Sequence, residues 1–119
     1  MLKILKRLFP ASWKQRVKNH LGVPSMNAGL LHLKNIGFQP AGVLDIGAYH
    51  GEWTVDFLHV FPNASVLMIE AQPAKEKTLQ AISNKFPQVQ YEMTLLGAHS
   101  GDKVHFYTNE TASHAVLAA

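Results

Sequence analysis

The chain has 119 residues, of which 47% are hydrophobic and 16% are charged, and it contains no cysteine. This composition fits one globular domain and excludes both a disordered chain and a disulfide or thiolate-metal scaffold. No apolar run reaches the roughly 18 to 20 residues that a membrane-spanning helix needs. The N-terminus also lacks the apolar stretch and small-residue cleavage site of a secretory signal. We therefore expect a cytoplasmic protein.

The net charge of +3 is unevenly distributed along the chain. Residues 1–20 hold six lysines and arginines and no acid, whereas the remainder holds five lysines against eight acids. The basic character belongs to one short segment, so it does not indicate a nucleic-acid-binding domain. We predict a basic helical extension over residues 1–24 and one domain over residues 25–119.

The extension begins with apolar residues at helical spacing, among them Leu5 and Leu8, beside basic residues. Pro10 breaks this segment, and Gly22, Val23 and Pro24 read as a linker. Two interpretations stay open. A basic amphipathic helix can make weak contact with an anionic membrane surface, or it can dock on the domain and leave its basic rim in solvent.

After residue 25, helical and strand patterns alternate. Apolar residues at helical spacing, with Gly37 placed as a C-terminal cap, predict the first helix. Apolar runs bounded by glycine, proline or asparagine predict strands. The predicted elements are, in order, a helix over 27–36, a strand over 43–46, a helix over 52–61, a strand over 65–70, a helix from Pro73 to Phe86, a strand over 89–96 and a further strand over 103–107.

This alternation predicts an α/β fold built from parallel βαβ units, here a Rossmann-like fold with an incomplete parallel sheet and flanking helices. In such sheets a ligand binds in the crevice at the carboxyl ends of the strands. We expect Trp53, Phe57 and Phe61 to pack in the core and Asp56 to face solvent, because of their helical spacing.

The loop after the first strand reads from Asp45 to Glu52 and contains two glycines. Gly47 makes the turn out of the strand, and a residue without Cβ permits close approach of a ligand to the backbone. Gly51 lets the next helix start close to the sheet, where its exposed N–H groups can receive a carboxylate. The loop is therefore a candidate ligand-binding site.

The second strand ends in Glu70, whose carboxylate is placed to accept hydrogen bonds from both hydroxyls of an adenosine ribose. Both NAD and S-adenosylmethionine present such a diol, so Glu70 does not distinguish the two ligands. The residues of the loop after the first strand must do so. A dinucleotide fingerprint G-x-G-x-x-G starting at Gly47 would need glycine at Tyr49 and Glu52. Shifting the register would need glycine at Asp45 and His50. Neither register fits the sequence. The carboxylates of Asp45 and Glu52 also suit the cationic groups of S-adenosylmethionine better than they suit a pyrophosphate.

These segments resemble the FkbM methyltransferases. The resemblance is carried by the stretch 37–40, by the continuous block Asp45–Thr54 and by 69–73, and it runs from about residue 27 to residue 108. It implies a class I methyltransferase fold and S-adenosylmethionine as the cofactor. It also implies O-methylation of a sugar or another hydroxylated small molecule.

The resemblance further implies roles for individual residues. Asp45, Gly47 and Ala48 would line the methionine side of the donor, while Glu70 would hold the ribose. Ala71 and Gln72 would lie near the adenine. Tyr49 stands where the family often has asparagine, which accepts left-handed backbone angles more readily. We place Tyr49 and Gly51 with the cofactor-binding residues.

Family members continue into a fourth core strand with a Lys-x-Asp-x-x-Gly-like segment, and nothing from Thr108 to Ala119 matches it. We therefore expect the acceptor site and the catalytic base to lie outside this chain, and we assign no catalytic residue. His50 is the histidine that lies within the donor loop. The alternative function is a non-catalytic nucleotide-binding or interaction module. Without the fourth strand we also expect an open sheet edge and self-association through it.

Overall fold

A computed structural model of the chain describes residue 16, residues 25–108 and residues 113–117. The predicted N-terminal extension and its linker lie outside the described residues, except for Arg16. The chain divides into two compact units, residues 1–39 and residues 40–119. The predicted domain boundary at residue 24 stays a prediction.

The described part of the first unit contains one helix, α1, from Met26 to Asn35. Ser25 caps its start by accepting the N–H of Ala28 at 3.1 Å. Gly37 has a φ of +91° and donates its N–H to the carbonyl of Lys34, which ends the helix. The predicted glycine cap is thus confirmed. Leu30 is buried, whereas Ile36 on the same predicted face is exposed.

The second unit contains the alternating elements that the sequence predicts. They are β1 (Gly42–Ile46), α2 (Glu52–Val60), β2 (Ser65–Glu70), a 3-10 turn (Pro73–Lys75), α3 (Glu76–Lys85), β3 (Val89–Met93), β4 (Val104–Thr108) and β5 (Ser113–Leu117). The first three strands form a parallel sheet in the order β1-β2-β3. This confirms the predicted fold class, a partial Rossmann-like α/β sheet with flanking helices.

Two strand predictions differ from the structure. The third strand was expected to reach Leu96 but ends at Met93, because its neighbour β2 stops at Glu70, which pairs with Met93. The further predicted strand exists as β4, but it pairs antiparallel with β5 in a separate two-stranded sheet. The sequence patterns did not predict β5.

The main core lies on one face of the parallel sheet. Val66, Met68 and Val89 are buried there, in register with neighbouring strands. From the helices, Phe57 of α2 and Leu79 of α3 are buried as well. Both helices therefore cover the sheet face on which Asp45 and Met68 lie side by side in register.

The opposite face of β1 is open. Leu44 is 60% exposed and Ile46 is 62% exposed there. Within the described residues β1 is also an edge strand, with β2 as its one neighbour. The expected open edge is therefore present in the described part of the chain. No helix among these residues is long and apolar enough to cross a membrane.

Candidate functional site at the carboxyl ends of β1 and β2

The loop between β1 and α2 turns through three left-handed residues. Gly47 has a φ of +80°, Tyr49 of +52° and Gly51 of +71°. The N–H groups of Gly47 and Ala48 both donate to the carbonyl of Ile69, at 2.8 and 3.1 Å. These bonds continue the β1–β2 ladder past the end of the strand and hold the loop over the end of β2.

Gly51 occupies a tight position where a Cβ would force neighbouring side chains to shift. A Cβ there would collide with the end of the Ile82 side chain and would lie 3.2 Å from the Met68 sulfur and 3.3 Å from Leu79 Cδ2. Because Gly51 is also the N-cap of α2, it lets the helix begin directly against β2 and α3. The predicted role of Gly51 in close helix–sheet packing is confirmed.

Asp45 is buried at the end of β1, with 9% of its surface exposed. Its Oδ2 atom accepts a hydrogen bond of 2.6 Å from the hydroxyl of Thr54, which is fully buried. A short hydrogen bond from a hydroxyl to a carboxylate is of the strong, charge-assisted kind. Thr54 therefore fixes the orientation of Asp45, and among the described residues Oδ1 has no hydrogen-bond partner.

Glu70 lies beside this loop at the end of β2 and is 5% exposed. Oε2 accepts the N–H of Tyr49 at 2.8 Å, and Oε1 accepts the N–H of Gln72 at 2.8 Å. The carboxylate therefore joins the loop after β1 to the segment after β2. The two hydrogen bonds give Glu70 a structural role at the end of β2, which is an alternative to ligand binding.

The two bonds leave Glu70 with acceptor capacity. Each carboxylate oxygen offers about two lone-pair directions, and each Glu70 oxygen uses one of them on a backbone N–H. The remaining capacity matches two hydroxyl donors. A vicinal diol is thus a chemically suitable ligand for this carboxylate.

Side chains from both loops meet beside Glu70. The Lys75 Nζ atom lies 3.9 Å from the centroid of the Tyr49 ring and 3.4 Å from the Nε2 atom of His50. The Tyr49 and His50 rings meet edge to face with centroids 4.2 Å apart. His50 and Lys75 are both half-buried.

The N-terminus of α2 opens toward the same loop. Its N-cap is glycine, which makes no side-chain hydrogen bond, and Val55 donates the first helical bond to the carbonyl of Gly51. First-turn N–H groups of a helix lack partners within the helix and attract an anion. This end of α2 is therefore suited to a carboxylate group.

The aromatic residues of α2 pack on each other. The Trp53 and Phe57 rings are stacked with centroids 5.1 Å apart, and the Phe57 and Phe61 centroids lie 5.2 Å apart. Phe57 and Phe61 are buried, which confirms them as core residues, and Asp56 is exposed as predicted. Within the described part of the chain, no group of three histidine or acidic residues is arranged to hold a metal ion.

The structure brings most of the predicted site residues together. Asp45, Gly47, Ala48, Tyr49 and Gly51 form the loop, and Glu70 bonds directly to Tyr49 and to Gln72. The N–H groups of Gly47 and Ala48 are engaged by Ile69, so they are not available to a ligand. Ala71 is half-buried beside Glu70 in sequence. The contacts of the predicted site residues with a cofactor stay predictions.

The sequence patterns missed two residues. The sequence marks Thr54 only as the last residue of the FkbM-like block, yet its hydroxyl orients Asp45. A buried threonine on the helix turn above a strand-end carboxylate is the signal that could have revealed it. Lys75 has no comparable signal, since its approach to Tyr49 depends on how the two loops fold.

Comparison with known proteins finds solved structures that resemble this chain with low TM-scores and low sequence identity. No family model matches the chain, and no curated protein matches it. Similar solved structures include a coclaurine N-methyltransferase bound to N-methylheliamine and SAH, with 19% identity and a TM-score of 0.48 over 61% of this chain. A precorrin-6y C5,15-methyltransferase from Geobacter metallireducens GS-15 has 20% identity and a TM-score of 0.43 over 57% of this chain.

A putative caffeoyl-CoA O-methyltransferase from Staphylococcus aureus has 12% identity and a TM-score of 0.48 over 79% of this chain. The chain spans 23%, 37% and 48% of these three proteins, respectively. At such identities and scores the likeness adds no argument about function, which must come from the geometry of the site.

Proposed function

We propose that this chain binds S-adenosylmethionine in the crevice formed by the β1–α2 loop and the end of β2, as the donor-binding part of a class I methyltransferase. The observation that carries the proposal is the Glu70 carboxylate. It is held by one backbone N–H on each oxygen and keeps acceptor capacity for two hydroxyls. In the proposed complex these are the ribose hydroxyls of the donor.

Charges around the loop suit the other end of the donor. The methionine part of S-adenosylmethionine carries an ammonium, a sulfonium and a carboxylate. Asp45 supplies a fixed carboxylate whose Oδ1 can accept a hydrogen bond from the ammonium. The uncapped start of α2 suits the carboxylate. The loop and the helix start that follows it thus offer one partner for the ammonium and one for the carboxylate.

For the reaction, we propose FkbM-type transfer of the methyl group to the hydroxyl of a sugar or another hydroxylated small molecule. It is supported by the resemblance of the block Asp45–Thr54 and of the segment after Glu70. Removal of the hydroxyl proton requires a base, and we assign that role to none of the described residues. The proposal for the chain itself is donor binding.

Calorimetric titration with S-adenosylhomocysteine tests the proposal, with NADH as the competing ligand class. We expect saturable binding of S-adenosylhomocysteine and none of NADH. Glu70→Ala should abolish binding. Glu92→Ala is the matched control, because Glu92 is an exposed acid of β3 and its removal should leave affinity unchanged. Absence of binding by a folded chain would refute the proposal, and NADH binding would favour an oxidoreductase instead.

A further inference from the structure

Tyr49 holds an unfavourable backbone conformation at the centre of the candidate site. Among the described residues it is the one non-glycine residue with positive φ. For an L-residue with a Cβ the left-handed region is disfavoured, so the surroundings must hold it there. Because the Tyr49 N–H must point at Glu70 Oε2, this conformation sets the geometry of the carboxylate.

Two contacts act on Tyr49 from the segment after β2. Glu70 accepts its N–H at 2.8 Å, and the ammonium of Lys75 lies over its ring at 3.9 Å from the centroid. A cation at this distance from an aromatic face is attracted by the ring quadrupole, and more strongly where both groups are partly desolvated. The backbone of Tyr49 is therefore held by Glu70 and its ring is contacted by Lys75, two residues five positions apart in one segment.

Among the described residues, Lys75 has no acidic partner that would explain its position. The ion pair between His99 and Asp102, at 3.6 Å, does not involve it. The ammonium instead contacts the Tyr49 ring and approaches His50 Nε2 at 3.4 Å. Its position at the end of the 3-10 turn, where α3 begins, fixes the backbone that carries it.

We propose that Lys75 is a positioning residue for the donor site: its ammonium holds the Tyr49 ring, and thereby keeps Tyr49 left-handed with its N–H on Glu70. The inference rests on the proposed function, since donor affinity is its functional readout. Lys75 compensates for a tyrosine at a loop position where an asparagine would adopt the same backbone angles with less strain. Loss of Lys75 would release Tyr49 and leave Oε2 of Glu70 without its backbone donor.

A double-mutant cycle between Lys75 and Tyr49 tests this coupling. Lys75→Met should weaken S-adenosylhomocysteine binding by about three- to tenfold, the range expected for a partly buried cation–π contact. Lys75→Arg should restore affinity to within about twofold, because a guanidinium also stacks on aromatic faces. In a Tyr49→Asn background, Lys75→Met should change affinity by less than about twofold, because the ring that the ammonium holds is gone.

Lys85 offers a matched control. Its Nζ atom lies 5.4 Å from the centroid of the neighbouring Phe86 ring, and Lys85 is the last residue of α3, at the opposite end of that helix from Lys75. Lys85→Met removes a lysine near an aromatic ring in the same way, and it should leave donor affinity unchanged. An equal loss in Lys85→Met and Lys75→Met would assign the effect to charge and would overturn the proposal.

Amide hydrogen exchange supplies a readout that does not need the ligand. The Tyr49 N–H should exchange faster in Lys75→Met than in the original chain, and it should not change in Lys85→Met. Faster exchange without any S-adenosylhomocysteine binding by the original chain would mean that the positioning role holds while the proposed function fails. Unchanged exchange and unchanged affinity in Lys75→Met would overturn the inference. So would an equal affinity loss in the Tyr49→Asn background, since Lys75 would then contact the ligand itself.

Discussion

The N–H of Tyr49 donates to Oε2 of Glu70 at 2.8 Å, which ties the loop after β1 to the last residue of β2. Tyr49 can make this bond because it is left-handed, and Glu70 can accept it because the parallel register places the end of β2 beside that loop. The bond has a structural effect, since it shapes the loop. It also has a chemical effect, since it orients a buried carboxylate.

Gly51→Ala should destabilise the protein. The new methyl group would press on Ile82, Met68 and Leu79 at a φ of +71°. Overpacking together with left-handed strain predicts a loss of at least about 2 kcal/mol in the free energy of unfolding. Urea-induced unfolding followed by circular dichroism measures it.

Gly29 of α1 is the control for that substitution, because a Cβ there would meet no atom within 4 Å. Gly29→Ala should leave stability unchanged or raise it by up to about 1 kcal/mol, since alanine is the better helix former. Equal stability of the Gly51→Ala protein and the original would show that the packing at the start of α2 is looser than described.

Thr54→Val should weaken both the fold and donor binding. Valine keeps the shape but removes the hydroxyl that Asp45 Oδ2 accepts at 2.6 Å, and hydrogen bonds to charged groups contribute about 1.5 to 3 kcal/mol. Thr54→Ser keeps the hydroxyl and should preserve S-adenosylhomocysteine affinity while losing the packing of one methyl group.

Thr78→Val on the exposed side of α3 is the matched control, and it should change neither stability nor affinity measurably. The comparison of Val and Ser at position 54 separates the hydrogen bond from the packing. If Thr54→Val bound the donor analogue as well as Thr54→Ser, Thr54 would have no positioning role for Asp45.

The open edge of β1 should make the chain self-associate. Leu44 and Ile46 are exposed there, and unpaired strand edges with apolar side chains recruit further strands. We expect the apparent mass from light scattering to rise with protein concentration, and Leu44→Lys to suppress the rise.

Gln80→Lys, which adds the same charge on the exposed surface of α3, should leave the association unchanged. A chain that stays monodisperse and monomeric across the concentration range, and unfolds cooperatively, would contradict the prediction.

Periodicity and glycine placement predicted much of the fold. The parallel order of β1, β2 and β3 follows from strands separated by single helices, and the end of α1 follows from Gly37. The length of β3 was not predictable from its apolar run, because it depends on where its neighbour β2 ends. The β4–β5 pairing was also not predicted, because residues 109–112 between the two strands contain neither glycine nor proline, the strongest turn signals.

The site was predictable at the level of which loops meet, and not at the level of bonds. Glu70 was expected to face a ligand diol, and the structure adds that it also bonds two backbone N–H groups. Tyr49 stands at a loop position where asparagine would accept left-handed backbone angles more readily. It adopts the left-handed conformation nonetheless, with Lys75 over its ring, a contact between separate loops that sequence spacing does not encode.

The most direct measurement is an amide nuclear magnetic resonance titration of the folded chain with S-adenosylhomocysteine. The account predicts saturable shifts of the Tyr49 and Gln72 amides, which bond to Glu70, together with that of Gly47. The amide of Gly101, in the turn before β4, should not move. Titration that leaves the Tyr49 and Gln72 amides unshifted while the chain is folded, or that moves only residues remote from Glu70, would contradict the account.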